Sequence, residues 1–245
     1  MGFRRKQHRV ILCGNREVRY ELVRRKRVRR NVYLDLSEDG GLRVIAPERA
    51  SERRIQRELQ ARSADVLEFL ARALEKKRSL PAYTYREGER HLFLGRAYPL
   101  AFRRAGNTAT FDGECIVLRV SAPGPDTVLS VLRKWYRDRA AEHFRGRLEH
   151  FCERANWTGG RVAPLTIRRM KRTMGNCSRS GEIKLNPHLV KAPPELVDYV
   201  VAHEVCHLAE HNHGAGFYRL LDDLYPDWAS AQARLKENWP VYLAE

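Results

Sequence analysis

Two histidines with a glutamate between them, at His203-Glu204-Val205-Cys206-His207, are the residues of this chain best suited to chemistry. On an α-helix that spacing sets both imidazoles on one face, because four residues are close to one turn. Both rings can then reach a single ion at the ~2.0–2.1 Å of a zinc–nitrogen bond. Glu204 projects from the same turn, near enough to touch a water on that ion without being a ligand. A catalytic zinc lowers the pKa of such a water to about 7, and a neighbouring carboxylate takes its proton as it attacks. His211-Asn212-His213 follows at once and offers a third nitrogen, from either histidine, where the helix should be ending.

A five-residue pattern with two free positions recurs by chance, so its surroundings decide its weight. Val200, Val201, Ala202, Val205, Cys206 and Leu208 are uncharged, as expected of a helix buried behind its metal. Val197, Val200, Val201, Val205 and Leu208 form an apolar stripe on the side away from the histidines. The competing reading is a buried amphipathic helix whose histidines only hydrogen-bond. The neutral flanks and the third histidine weigh against it.

The elements that must position this motif follow from the surrounding pattern. Pro193-Pro194 precedes a helix predicted from Glu195 to about Asn212, and a last helix is predicted over Trp228 to Glu237. Leu165 to Met170 and Ile183-Lys184-Leu185 read as strands, joined through a loop around Gly175 and Gly181. His188 reads as a surface residue, and Tyr199, one turn before His203, as a packed helix tyrosine. A long amphipathic helix is predicted from Thr127 to about Arg154. Ahead of it, Ala122-Pro123-Gly124-Pro125-Asp126 is the clearest breaker in the chain.

Residues 83–120 read as short strands punctuated by Gly88, Gly95, Gly106-Asn107 and Asp112-Gly113. Residues 9–46 also have strand character, with a turn at Glu38-Asp39-Gly40-Gly41, and Pro47 and Ser51 open a helix running to about Lys77. No internal repeat is visible in the sequence.

Charge is the unusual bulk property: 46 Lys plus Arg against 30 Asp plus Glu give +16 over 245 residues. Such a surface attracts polyanions, nucleic acid or nucleotides among them, or is simply a solvated Arg-rich face. The densest basic cluster, Arg24-Arg25-Lys26-Arg27-Val28-Arg29-Arg30, is either a phosphate-contacting edge or a charged strand edge that blocks aggregation. No run approaches the roughly 18 apolar residues of a membrane span. Val10 to Cys13 is too short for a signal-peptide core. Five scattered cysteines without a CxxC pair argue against a disulfide framework. The expectation is a cytoplasmic chain with no membrane partner.

Ile167-Arg168-Arg169-Met170-Lys171, Gly175-Asn176-Cys177-Ser178, Ile183-Lys184-Leu185-Asn186 and Ala192-Pro193-Pro194-Glu195 leading into His203-Glu204 resemble the YgjP-like metallopeptidases, relatives of the SprT and WLM groups. Asn212-His213 and Phe217-Tyr218 match the family's Asn-His and Phe-aromatic pairs. The resemblance implies His213, rather than His211, as the third ligand. It extends over nearly the whole chain, with its sharp motifs after residue 165. The family usually carries Trp-Gly-Ser-Cys where this chain has Met174-Gly175-Asn176-Cys177. Methionine can fill the gap left by tryptophan, but a stacking role for that aromatic is lost.

These readings together set the expectation of an α+β protein. A β-rich N-terminal region with one long helix (1–125) would precede a zincin-like metallopeptidase core (126–245). One zinc ion per chain would sit on His203, His207 and His213, with Glu204 as general base, although three histidines suit several first-row ions. Arg168, Arg169, Lys171 and Arg172 would either line the substrate cleft or form a solvated strand face. The expected reaction is hydrolysis of a protein or peptide, near nucleic acid if the charge has that purpose. The alternatives are nucleoside triphosphate pyrophosphate hydrolysis at the same metal, and a nucleic-acid-binding protein with a structural zinc.

Overall fold

Period-two alternation builds the first four strands, β1 (Gln7–Cys13), β2 (Arg16–Arg25), β3 (Tyr33–Leu36) and β4 (Leu42–Pro47). The computed structural model describes residues 7–37, 41–78, 80–171 and 173–245, so the turn expected at Glu38-Asp39-Gly40 and the side chain of Arg172 lie outside the described residues. Val18, Tyr20 and Leu22 of β2 and Leu42, Val44 and Ala46 of β4 all turn inward. Parallel pairing sets Tyr20 opposite Leu42 and Leu22 opposite Val44. The sheet order is β1-β2-β4-β3.

One helix was expected after β4, and two form: α1 (Glu52–Ala61) and α2 (Ser63–Arg78). The Ser51 hydroxyl accepts from the Arg54 N–H and caps α1. Arg62 leaves helical geometry at φ −112° and interrupts the run. Ile55, Leu59 and Val66 are buried with the inward face of the sheet in one core.

The chain divides into two compact units, Met1–Leu80 and Pro81–Glu245, and not at the Pro/Gly breaker before residue 126. The second unit opens with β5 (Arg90–Phe93), β6 (Arg96–Arg103), β7 (Asn107–Phe111) and β8 (Ile116–Val120), in the order β5-β6-β8-β7. Leu100, Ile116, Leu118 and Val120 share a core with Val128, Leu132 and Trp135 of α3 (Pro125–Arg154). Parting sheet from helix at 125 would expose both faces, so the breaker is a loop within the unit. Both four-stranded sheets have one topology, two antiparallel outer pairs about a parallel central pair, followed by helix. The chain therefore repeats a topology without repeating a sequence.

A three-stranded sheet follows, from β9 (Leu165–Ile167), β10 (Gly175–Cys177) and β11 (Ile183–Leu185), in the order β10-β11-β9. Then come α4 (Pro194–Cys206), α5 (Ala215–Leu224) and α6 (Trp228–Leu243). The metal-motif helix thus ends about six residues earlier than its sequence pattern suggested, and α5 was not anticipated. Trp157 reaches α4 and donates its indole N–H at 3.0 Å to the helix-end carbonyl of Val205, which also accepts from the Leu208 N–H at 3.1 Å. Among the described residues no helix is long and apolar enough to cross a membrane.

Candidate metal centre

Pro194 opens α4 at a position where a missing N–H costs no helical bond. Val197, Val201 and Val205 are fully buried on the far side of α4, and Asp198 takes a bidentate pair from Arg147 of α3 at 2.5 and 3.0 Å. That packing leaves His203 and His207 on the remaining face, one turn apart. After Cys206 the chain turns back, with the Glu210 N–H bonded to the Cys206 carbonyl at 3.0 Å. The Glu210 carbonyl then lies 2.8 Å from His207 Nδ1. A carbonyl can only accept, so His207 carries its proton on Nδ1 and leaves the Nε2 lone pair free.

His213, in the segment before α5, closes the group. Its Nε2 lies 3.1 Å from His203 Nε2. One ligand nitrogen from each of His203, His207 and His213 falls within 4.8 Å of the others. The ring centroids are 4.7–5.0 Å apart, and the buried ring of Phe217 packs against all three at 4.6–4.9 Å. Burial, then the neighbouring histidines, push His203 down to about 3. Burial also lowers His207. Both are neutral at ordinary pH, the form that coordinates a cation.

Glu204 is buried, and burial pushes its carboxyl up to about 8, partly offset by a bond from the Cys177 N–H. Its Oε2 and the Nδ1 of His203 have no hydrogen-bond partner among the described residues. A Cβ at Gly175 would stand 2.5 Å from Glu204 Oε1, so only glycine lets β10 approach this carboxylate. A cavity of about 290 Å³ opens here, lined by β10, His203, Glu204, His207, His211 and His213. Three imidazoles aimed at one point beside an orphaned buried oxygen fit a divalent cation. The 3.1 Å between His203 Nε2 and His213 Nε2 lets both nitrogens reach one ion at ~2.0–2.1 Å.

The model of the YgjP-like metallopeptidase domain matches residues 30–238. This chain belongs to the YgjP-like metallopeptidase family. It is therefore a metal-dependent hydrolase of the peptidase class. Among solved structures it is similar to the metallopeptidase zymogen of Pyrococcus abyssi abylysin, at 24% identity over 38% of this chain and 90% of that one, with a TM-score of 0.34. It is also similar to the zymogen of Methanocaldococcus jannaschii jannalysin, at 19% identity over 39% and 96%, with a TM-score of 0.35. No curated protein matches it.

In this YgjP-like metallopeptidase the cavity lining includes, among the described residues, none of the basic residues that would either line a cleft or form a solvated strand face. Arg168, Arg169 and Lys171 follow β9, on the sheet edge opposite β10, and none lines the cavity. Arg169 instead pairs with Glu245 at 2.7 Å. His211 lines the cavity but contributes no atom to the converging group. Tyr199 is packed, as its helix position suggested, and its hydroxyl accepts from Gln232 at 3.1 Å. His188 is not at the surface: only 5% of it is exposed, because the 3-10 turn Pro187–Lys191 packs against α3 and α6. Met174, in place of the family's tryptophan, packs against the main core.

Sequence reasoning missed β10 as the strand beside α4. Gly-Asn-Cys is too short to show alternation, and its strand identity comes from pairing with β11. The usable signal was Gly175, a residue whose lack of a side chain had a steric purpose.

Proposed function

We propose that this metallopeptidase holds one zinc ion per chain on His203, His207 and His213, and that Glu204 is the general base for peptide hydrolysis. The convergence of three imidazoles beside a buried carboxylate with an unpartnered oxygen carries the reading. Zinc bound there supplies Lewis acidity and brings water toward ionisation at neutral pH. Beside a bound cation the carboxyl that burial alone holds up at about 8 would ionise, and Glu204 Oε2 then receives the proton of the attacking water and returns it to the leaving amine. The Cys177 N–H steadies the carboxylate during both transfers. The Glu210 carbonyl keeps His207 in its coordinating tautomer.

A peptide substrate is favoured by the edge of the small sheet. Among the described residues β10 pairs with β11 alone, and its residues line the cavity, so an extended backbone can add as a further strand. The exposed residues Arg25, Lys26, Arg27, Arg29 and Arg30 in the first unit support action near nucleic acid.

The deciding experiment compares wild type with Glu204→Gln on unfolded protein, with and without DNA, and on nucleoside triphosphates. Peptide cleavage abolished in the variant with zinc still bound is the expected result. Triphosphate hydrolysis lost in the variant, without any peptide cleavage, would overturn the substrate assignment and leave the metal site standing.

A further inference from the structure

Beyond the catalytic cavity, the second unit sets a buried lysine close to two exposed arginines that the proposed mechanism does not use. Lys191 is only 3% exposed. Its Nζ donates to the Ala244 carbonyl at 2.9 Å and lies 4.9 Å from the centre of the Tyr136 ring. Arg133 grips Glu245 Oε2 through Nε at 3.0 Å and Nη2 at 2.7 Å. Arg169 reaches the same oxygen at 2.7 Å, and His188 Nε2 lies 3.3 Å from Oε1. The buried Tyr85 hydroxyl, in the wall of this pocket, has no partner among the described residues.

Three cationic side chains, Arg133, Arg169 and Lys191, therefore gather around the one carboxylate of Glu245. Lys191 has three donors and, among the described residues, one protein acceptor. Burial pushes it down to about 8, the mark of an ammonium short of compensating charge. Glu89, beside Tyr85, does not supply it: Thr84, Tyr85 and His91 already bond its oxygens. With Glu245 in place the pocket keeps only about 10 Å³ of free space, too little for any ligand larger than water.

We propose that this pocket is a second, anion-accepting site, built for a small oxyanion of the phosphate or carboxylate type and held in this structure by the side chain of Glu245. A bidentate guanidinium, a second guanidinium, an ammonium and a phenol present the donors that such an oxyanion needs. Ligand entry requires Glu245 to leave, which also frees Arg169.

The test follows thermal stability, so it is independent of peptidase activity. Wild type, Glu245→Ala and Glu245→Ala/Lys191→Met are titrated with inorganic phosphate, acetate or chloride at matched ionic strength. Phosphate or acetate should raise the Tm of Glu245→Ala by about 3–6 °C at ten times Kd, affect wild type less, and lose its effect in the double variant. The anion giving the larger rise identifies the preferred class. Equal shifts in all three proteins, or none in Glu245→Ala, would overturn the site. If Glu245→Ala does not fold, restoration by phosphate or acetate supports the proposal, and failure of both reduces Glu245 to a structural counter-ion.

Discussion

Gly175 and Glu204 are fitted to each other: a Cβ on Gly175 would stand 2.5 Å from the carboxylate Oε1 and 2.9 Å from its Cδ. Glu204 is held by α4 and walled in by burial, so neither partner can yield freely. Gly175→Ala should displace the carboxylate and lower kcat roughly 100-fold, the scale of an ångström-sized misplacement. Metal content should stay unchanged by elemental analysis. Full activity in the variant would show that β10 does not constrain the base.

Glu204→Gln keeps the shape of the side chain and removes its ability to take a proton. On the proposed mechanism kcat falls by roughly 10²- to 10⁴-fold while the metal remains bound. Loss of metal in this variant would instead make Glu204 a ligand.

The histidines separate cleanly by substitution. His213→Ala should lose metal at equilibrium dialysis, whereas His211→Ala should retain it, because only His213 joins the converging group. Chelation of the wild type should abolish activity and lower Tm, since a metal that binds only the folded chain stabilises it by mass action. Retention of metal by His213→Ala would move the third ligand elsewhere.

His188 supplies a pH test away from the metal. Burial first, then Lys191, push it down to about 4, against an opposing pull from Glu245. Between pH 6.5 and 4 the unfolded chain binds the proton and the folded chain does not, so stability falls as pH drops through that window. His188→Gln should therefore flatten the acid limb, narrowing the stability difference between pH 7 and pH 4 by about 3 kcal/mol in denaturant titrations. An unchanged limb would mean that the ring is protonated in the folded state.

The chemistry at α4 was legible because it is local. His203, Glu204 and His207 lie within one turn, helix geometry alone puts the imidazoles on one face, and the valines opposite announce burial. Helix α3 was legible for the same reason, and β9 and β11 because Leu-Thr-Ile and Ile-Lys-Leu set β-branched and apolar residues about a polar one, which Gly-Asn-Cys does not. His213 needed more, because its distance from the other two depends on how the chain turns after Cys206. The family resemblance favours it where spacing leaves His211 open.

Tertiary structure alone decided what depends on partners distant in sequence. Gly175–Cys177 is a strand only through β11, His188 is buried only because α3 and α6 cover its turn, and Arg169 meets Glu245 rather than the cleft. The second unit begins at Pro81 because β5–β8 and α3 share one apolar core, which no local breaker signal can report. The sequence by itself thus determined the candidate reactive residues and their helix, which short-range periodicity encodes. The fold determined their neighbours, because burial and pairing are properties of surfaces that meet only after the chain has closed on itself.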